Sequence, residues 1–341
     1  MKSRWLFWMI LFVAVFYSFV LLAHFFGRDS AQEQKDLDQK QKASQLFKQK
    51  EEIARQKLKE HPVALGAVSL TFSFLFFWGI CLDIDLLIRK FRGTPWPLAS
   101  LPFPEVRWGF RDVLTAFLFL LFAEGFLFLV QSSIILFMGI EGRISDSVLI
   151  LTSFIRNLMV AAFVIWIVRT KYGQGLAELG FRGNSFWRHV KDGIFSYIAV
   201  IPPLLLCFFV LSYLLQIFSV EPEPQQVVQL YLKDSAQPYL VGLTLFVAVL
   251  GPVMEELFFR GVAYAGFRKK FGVWPAAVLC SLMFATLHMH WIAFFPIFFL
   301  GMFLTMLYEI SGSLIPSITA HVLHNTLMVG VMLGFRSLSG Y

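Results

Sequence analysis

The stretch YLVGLTLFVAVLGPVMEELFFRGVAYA, Tyr239 to Ala265, is long enough to cross a membrane, yet it carries Glu255, Glu256 and Arg260 within a turn and a half of helix. A carboxylate or guanidinium in hydrocarbon costs at least ~2.5–3.5 kcal/mol on insertion scales, so three such groups call for internal pairing and mark a functional site. Glu256 and Arg260, four residues apart, share a helix face and suit an ion pair. Glu255 points about 100° away from Glu256 and is left to face a water-bearing cavity.

The rest of the chain is of the same kind. Of 341 residues, 57% are hydrophobic, only 15% are charged and 40 are phenylalanine, whereas soluble domains are roughly 25% charged. The expected fold class is all-α, a polytopic membrane helical bundle. Apolar segments run over Trp5 to Phe26, Val63 to Leu82, Phe110 to Ile140, Val148 to Val168, Ile194 to Val220, Tyr239 to Gly266, Trp274 to His290, Trp291 to Ile310 and Leu314 to Leu333. That pattern predicts about nine transmembrane helices. Cys81, Cys207 and Cys280 lie in or beside these runs with neither disulfide nor metal spacing. The net charge of +7 is no sign of a nucleic-acid partner, because the basic residues crowd the loops beside the spans, where they set topology.

Residues 1–27 read as an uncleaved signal-anchor helix, since the apolar core is too long for a cleavable signal and no small-x-small site precedes Gly27. Residues 28–62 are dominated by Gln, Lys, Glu, Asp and Ala and read as a charged helical segment outside the bilayer. Residues 63–109 supply a second span and a basic cytoplasmic loop, and 110–341 form the main membrane-embedded domain. Basic residues follow alternate spans: Arg89, Lys90, Arg92, Arg107 and Arg111, then Arg169, Lys171, Arg182, Arg188 and Lys191, then Arg268, Lys269 and Lys270. The other loops are neutral or acidic, with Glu141, Gly142, Arg143 and Asp146 in one and Glu221, Glu223, Lys233 and Asp234 in another. By the excess of Lys and Arg in cytoplasmic loops, Met1 is cytoplasmic, and we expect an integral, multi-pass protein of a prokaryotic plasma (inner) membrane.

Counting at about 1.5 Å per residue from the basic turn near Lys270 puts Glu255 and His288 each roughly 20 Å deep, and His321 and Asn325 roughly 12–18 Å deep from the same face. Three helices can therefore bring these four groups together. His321 and Asn325, four apart, present hydrogen-bond donors on one face, as an oxyanion requires. A carboxylate in a low-dielectric cavity suits general-base work, which makes Glu255 the candidate for activating water, with His288 sharing the proton or orienting the water. Glu124 and Arg156 reach similar depth on neighbouring spans and read as a structural ion pair. His290 and His324 lie near the site but off its faces, where ring packing or water contact suffices for them.

Three motifs in order, Glu255-Glu256-x-x-x-Arg260, Phe284-x-x-x-His288 and His321-x-x-x-Asn325, resemble those of the CAAX-protease and bacteriocin-processing (CPBP, Abi) family of intramembrane endopeptidases, which includes the type II CAAX prenyl proteases. Gly301, Tyr308-Glu309, Ser311-Gly312-Ser313 and Pro316 are similar to the segment preceding the family's last motif. The resemblance covers roughly Tyr239 to Val331. It implies that Glu255 with His288 activates the attacking water, that His321 with Asn325 stabilises the oxyanion, and that Glu256, Arg260 and Phe284 support the site. The implied partners are the lipid bilayer and a membrane-anchored protein or peptide substrate. No cofactor is expected.

Three rival readings remain. Glu255, His288 and His321 are also a plausible three-ligand zinc set with an open fourth position, although no His-Glu-x-x-His helix is present. A non-catalytic membrane scaffold or immunity protein would keep the motif for structure. A transporter would use midplane carboxylates and histidines as a proton relay, but the spans show no internal repeat.

Overall fold

The computed structural model describes residues 4–26, 30–95, 97–98, 100–138, 146–183, 185–220, 225–232 and 237–339. The described residues are almost entirely helical, without strands: α1 (Arg4–Phe26), α2 (Ser30–Glu60), α3 (Pro62–Arg92), α4 (Phe110–Met138), α5 (Asp146–Tyr172), α6 (Phe186–Ile217) and α7 (Gln226–Tyr231). A continuous run then comprises α8 (Gln237–Leu245), a π-helical segment Phe246–Leu250, α9 (Gly251–Glu256), a second π segment Leu257–Tyr264 and α10 (Ala265–Phe271). The chain ends in α11 (Val273–Leu287), α12 (Phe294–Ser311) and α13 (Leu314–Leu338).

Eight of these helical stretches are long and apolar enough to cross a membrane. The ninth expected span, Trp274 to His290, is instead the 15-residue α11, which falls short of spanning length. Its apolar run continues to Trp291, but a turn at 288–290 ends the helix, with Met289 at a φ of 50°. The left-handed conformation of a non-glycine residue breaks the helix where composition alone would extend it.

Loop contacts sort the bundle into two ends. At one end, Leu101 N donates to Ser311 O at 2.9 Å and Leu314 N to Gly180 O at 2.9 Å. There, too, Arg182 Nη1 reaches Pro102 O at 2.6 Å and Lys269 Nζ reaches Arg107 O at 3.2 Å. All the basic loops singled out by sequence meet at this end. At the opposite end, α2 docks its apolar face on the last turns of α13: Phe47 stacks on Phe335 with centroids 5.6 Å apart, and Lys50 Nζ donates to Ser339 O at 3.2 Å. Arg336 Nη1 bonds Tyr231 O at 2.8 Å beside them. The acidic-loop residues Glu141 to Arg143, Glu221, Glu223, Lys233 and Asp234, and Gly27 at the end of the expected uncleaved anchor, lie outside the described residues.

Two glycines let the helices of the site approach. Gly312 ends α12 at a φ of 62°, and a Cβ there would stand 2.3 Å from Leu101 O, so neither the backbone nor the space admits a side chain. Gly193 on α6 packs against the start of α13, where a Cβ would meet Pro316 O at 2.6 Å. Small residues at such crossings give the close backbone approach that drives helix association in lipid. The principal core gathers α4, α5, the second π segment and α11 around Trp108, Tyr264, Phe284 and Tyr308.

Candidate active site

The site is built on the helical run 237–271 and on α11, α12 and α13. Glu256 is fully buried and accepts from Arg260 Nη1 at 2.7 Å. The same oxygen, Oε1, lies 2.8 Å from His321 Nδ1. An oxygen already held by a guanidinium acts as an acceptor, so His321 carries its proton on Nδ1 and turns Nε2 away from Glu256. Nε2 faces Glu255, whose Oε2 is 3.8 Å away. Glu255 keeps 29% of its side chain accessible while Glu256 keeps none, the division expected from their angular offset along the helix. What the sequence did not reveal is that Glu256 bonds His321 as well as Arg260.

Arg260 is clamped on its other sides. Its Nη2 donates to Gly301 O at 3.1 Å, a carbonyl that also accepts from Thr305 Oγ1 at 2.8 Å. Its guanidinium lies 4.7 Å from the centre of the Phe284 ring, within cation–π range. Phe284 also touches both imidazoles, with ring centroids 4.7 Å from His288 and 5.8 Å from His321. The phenylalanine of the second motif is thus the apolar partition between the two histidines. His288 caps α11, is exposed, and donates from Nδ1 to Phe284 O at 2.7 Å. A carbonyl can only accept, so Nε2 of His288 is the bare nitrogen.

Asn325 has a partner that no spacing rule could supply: its Nδ2 donates to Val247 O at 2.9 Å. The cause lies in the first π segment. Gly251 N–H reaches back to Phe246 O rather than to Val247, and residue 252, next in line, is proline with no N–H to give. The Val247 carbonyl is thereby stranded inside the bundle, and the Asn325 carboxamide satisfies it. One further N–H remains on that amide. Cys280 Sγ plays a similar part at Phe259 O, 3.2 Å away, in the second π segment.

The π segments also explain how Glu256 meets His321 although counting put His321 nearer the basic end. Turns that close i→i+5 take more residues to climb the same height. Of the flanking histidines, His324 Nδ1 is 3.4 Å from Tyr197 Oη, and His290 Nδ1 accepts from Ala293 N at 3.1 Å. Glu124 and Arg156 pair at 2.7 Å, between α4 and α5. Among the described residues, no three His, Cys, Asp or Glu side chains are grouped as a metal-holding set.

Residues 237–327 match the model of the family described as Rce1-like, type II CAAX prenyl endopeptidase Rce1-like. The matched segment is similar to that family. It starts at α8, ends within α13 and contains all three motifs, in less than half of the chain. The match is a similarity of this segment to a family of peptidases, and the segment lies within a multi-pass membrane bundle. No curated protein and no solved structure matches the chain.

Proposed function

We propose that the protein is an intramembrane endopeptidase that hydrolyses a peptide bond of a membrane-tethered protein or peptide with a water activated at Glu255. The observation that supports it best is the chain of contacts from Arg260 through Glu256 and His321 to Glu255. It joins a fully buried ion pair to a partly open carboxylate. The 3.8 Å between Glu255 Oε2 and His321 Nε2 is a span that one water can bridge with hydrogen bonds of about 2.8 Å to each.

In this mechanism the water oxygen attacks the scissile carbonyl carbon while Glu255 takes its proton, as a general base. The bare Nε2 of His288 orients the water or shares the proton. Charge developing on the carbonyl oxygen is met by His321 and by the remaining N–H of Asn325. With Nδ1–H committed to Glu256, His321 donates from Nε2 when that nitrogen is also protonated. Collapse of the tetrahedral intermediate breaks the C–N bond, and the proton held by Glu255 passes to the leaving amine. Glu256 and Arg260 hold His321 in place, and Phe284 keeps the two imidazoles apart.

The basic end, where Arg89, Arg182 and Lys269 gather, is the cytoplasmic one in this reading, which puts Met1 inside and α2 outside. The experiment that tests the function compares membrane-protein termini in cells carrying the wild-type chain and Glu255→Ala at equal abundance. New termini that depend on Glu255 support hydrolysis and name the substrate class. An unchanged set of termini, with the biological effect retained, would leave a scaffold or immunity role.

A further inference from the structure

A cavity of about 350 Å³ lies behind the site, walled by α3, α6, α12 and the start of α11, with Pro97 and Trp274 also lining it. The volume is in the range of small-molecule pockets, and its walls are apolar apart from a few hydrogen-bonding groups, the usual composition of a ligand site.

Those few side-chain groups are two carboxylates and a hydroxyl. Asp83 and Asp85 both line the cavity. Asp85 is engaged by Arg89 at 2.6 Å, while Asp83 has no ion pair among the described residues. Ser196 adds a hydroxyl. Ala199 and Pro203 line the opposite wall, and because Pro203 has no N–H, the Ala199 carbonyl is without its usual i+4 donor. The cavity therefore offers the Asp83 carboxylate within mostly apolar walls, and none of the residues that line it is a cation. A carboxylate in a membrane-spanning helix calls for an opposite charge, so the missing component is a cation carried by the ligand.

We propose that this cavity binds a membrane amphiphile that carries a protonated amine, its ammonium on Asp83 and its chain along Phe303 and Met306. The bilayer is the source of the ligand, since the walls are span residues. The occupant would sit one side-chain layer behind the catalytic helix: Val200 and Leu307, which line the cavity, share a buried cluster with Ala320, the neighbour of His321.

The test is amphiphile retention measured by native mass spectrometry on the full-length protein in nanodiscs, titrated with oleylamine and, separately, with oleyl alcohol. The wild type is expected to hold oleylamine at least ~10-fold more tightly, the discrimination of a charge-assisted hydrogen bond. Asp83→Asn should abolish that preference, and Ala199→Phe, which fills the void, should exclude both chains. Equal affinity of the wild type for amine and alcohol overturns the proposal without reference to any variant. So does an undiminished preference in Asp83→Asn, or undiminished binding in an Ala199→Phe protein of normal thermal stability. None of these readouts depends on proteolysis.

Discussion

Glu256 holds His321 through the same carboxylate oxygen that holds Arg260. The ion pair is therefore not only structural. It fixes the tautomer of an imidazole that turns toward the neighbouring glutamate. Removing one partner of a buried pair leaves the other charge uncompensated, at about 3–5 kcal/mol. Glu256→Gln should lower the unfolding temperature markedly, and Glu256→Gln with Arg260→Met should recover most of the loss. Thermal unfolding of the purified proteins checks this. Activity on a tethered reporter should stay low in both, because a neutral carboxamide accepts from His321 Nδ1 only in a weaker, uncharged hydrogen bond.

Glu255→Gln should behave in the opposite way. Its side chain is partly open and is in no ion pair as tight as that of Glu256, so stability should hold within about 0.5 kcal/mol. Reporter cleavage in proteoliposomes should fall by roughly 100- to 10,000-fold, the range for loss of a general base. Cleavage at the wild-type rate would remove Glu255 from the mechanism.

Asn325 should prove to have two duties. Asn325→Ala strands the Val247 carbonyl, at about 1–3 kcal/mol. Adding Pro252→Ala returns an N–H to the first π segment and should recover stability, read as a rise in unfolding temperature over Asn325→Ala alone. If the amide also serves the oxyanion, cleavage by the double variant stays depressed by ~100-fold or more. Recovery of both quantities together would make Asn325 purely structural.

Metal removal gives a separate check. Protein stripped with a strong chelator and verified metal-free by elemental analysis should cleave its reporter at the untreated rate. Activity that disappears and returns only with zinc would establish Glu255, His288 and His321 as a ligand set.

The residues of the site were legible because charge in an apolar stretch has few explanations, and because four-residue spacing says which side chains share a face. Glu256 with Arg260, and the more open Glu255, followed from that geometry. The bond from Glu256 to His321 did not, since it joins helices 65 residues apart and depends on how they rotate against each other. The π segments were invisible as well. The first closes at Gly251 and Pro252 in a buried setting, and apolar periodicity does not distinguish i→i+4 from i→i+5 closure. Composition also overran α11, where the local backbone of Met289, not hydrophobicity, sets the end.

That early stop matters for the surrounding lipid. At 15 residues, α11 is about 22 Å long, against a hydrocarbon core of ~30 Å. The turn bearing His288 and the exposed Met289 and Trp291 thus ends inside the far leaflet. A helix this short invites thinning of the lipid beside it, and on the proposed proteolytic reading that dimple is where an extended peptide would descend to the carboxylates while its anchor stays embedded.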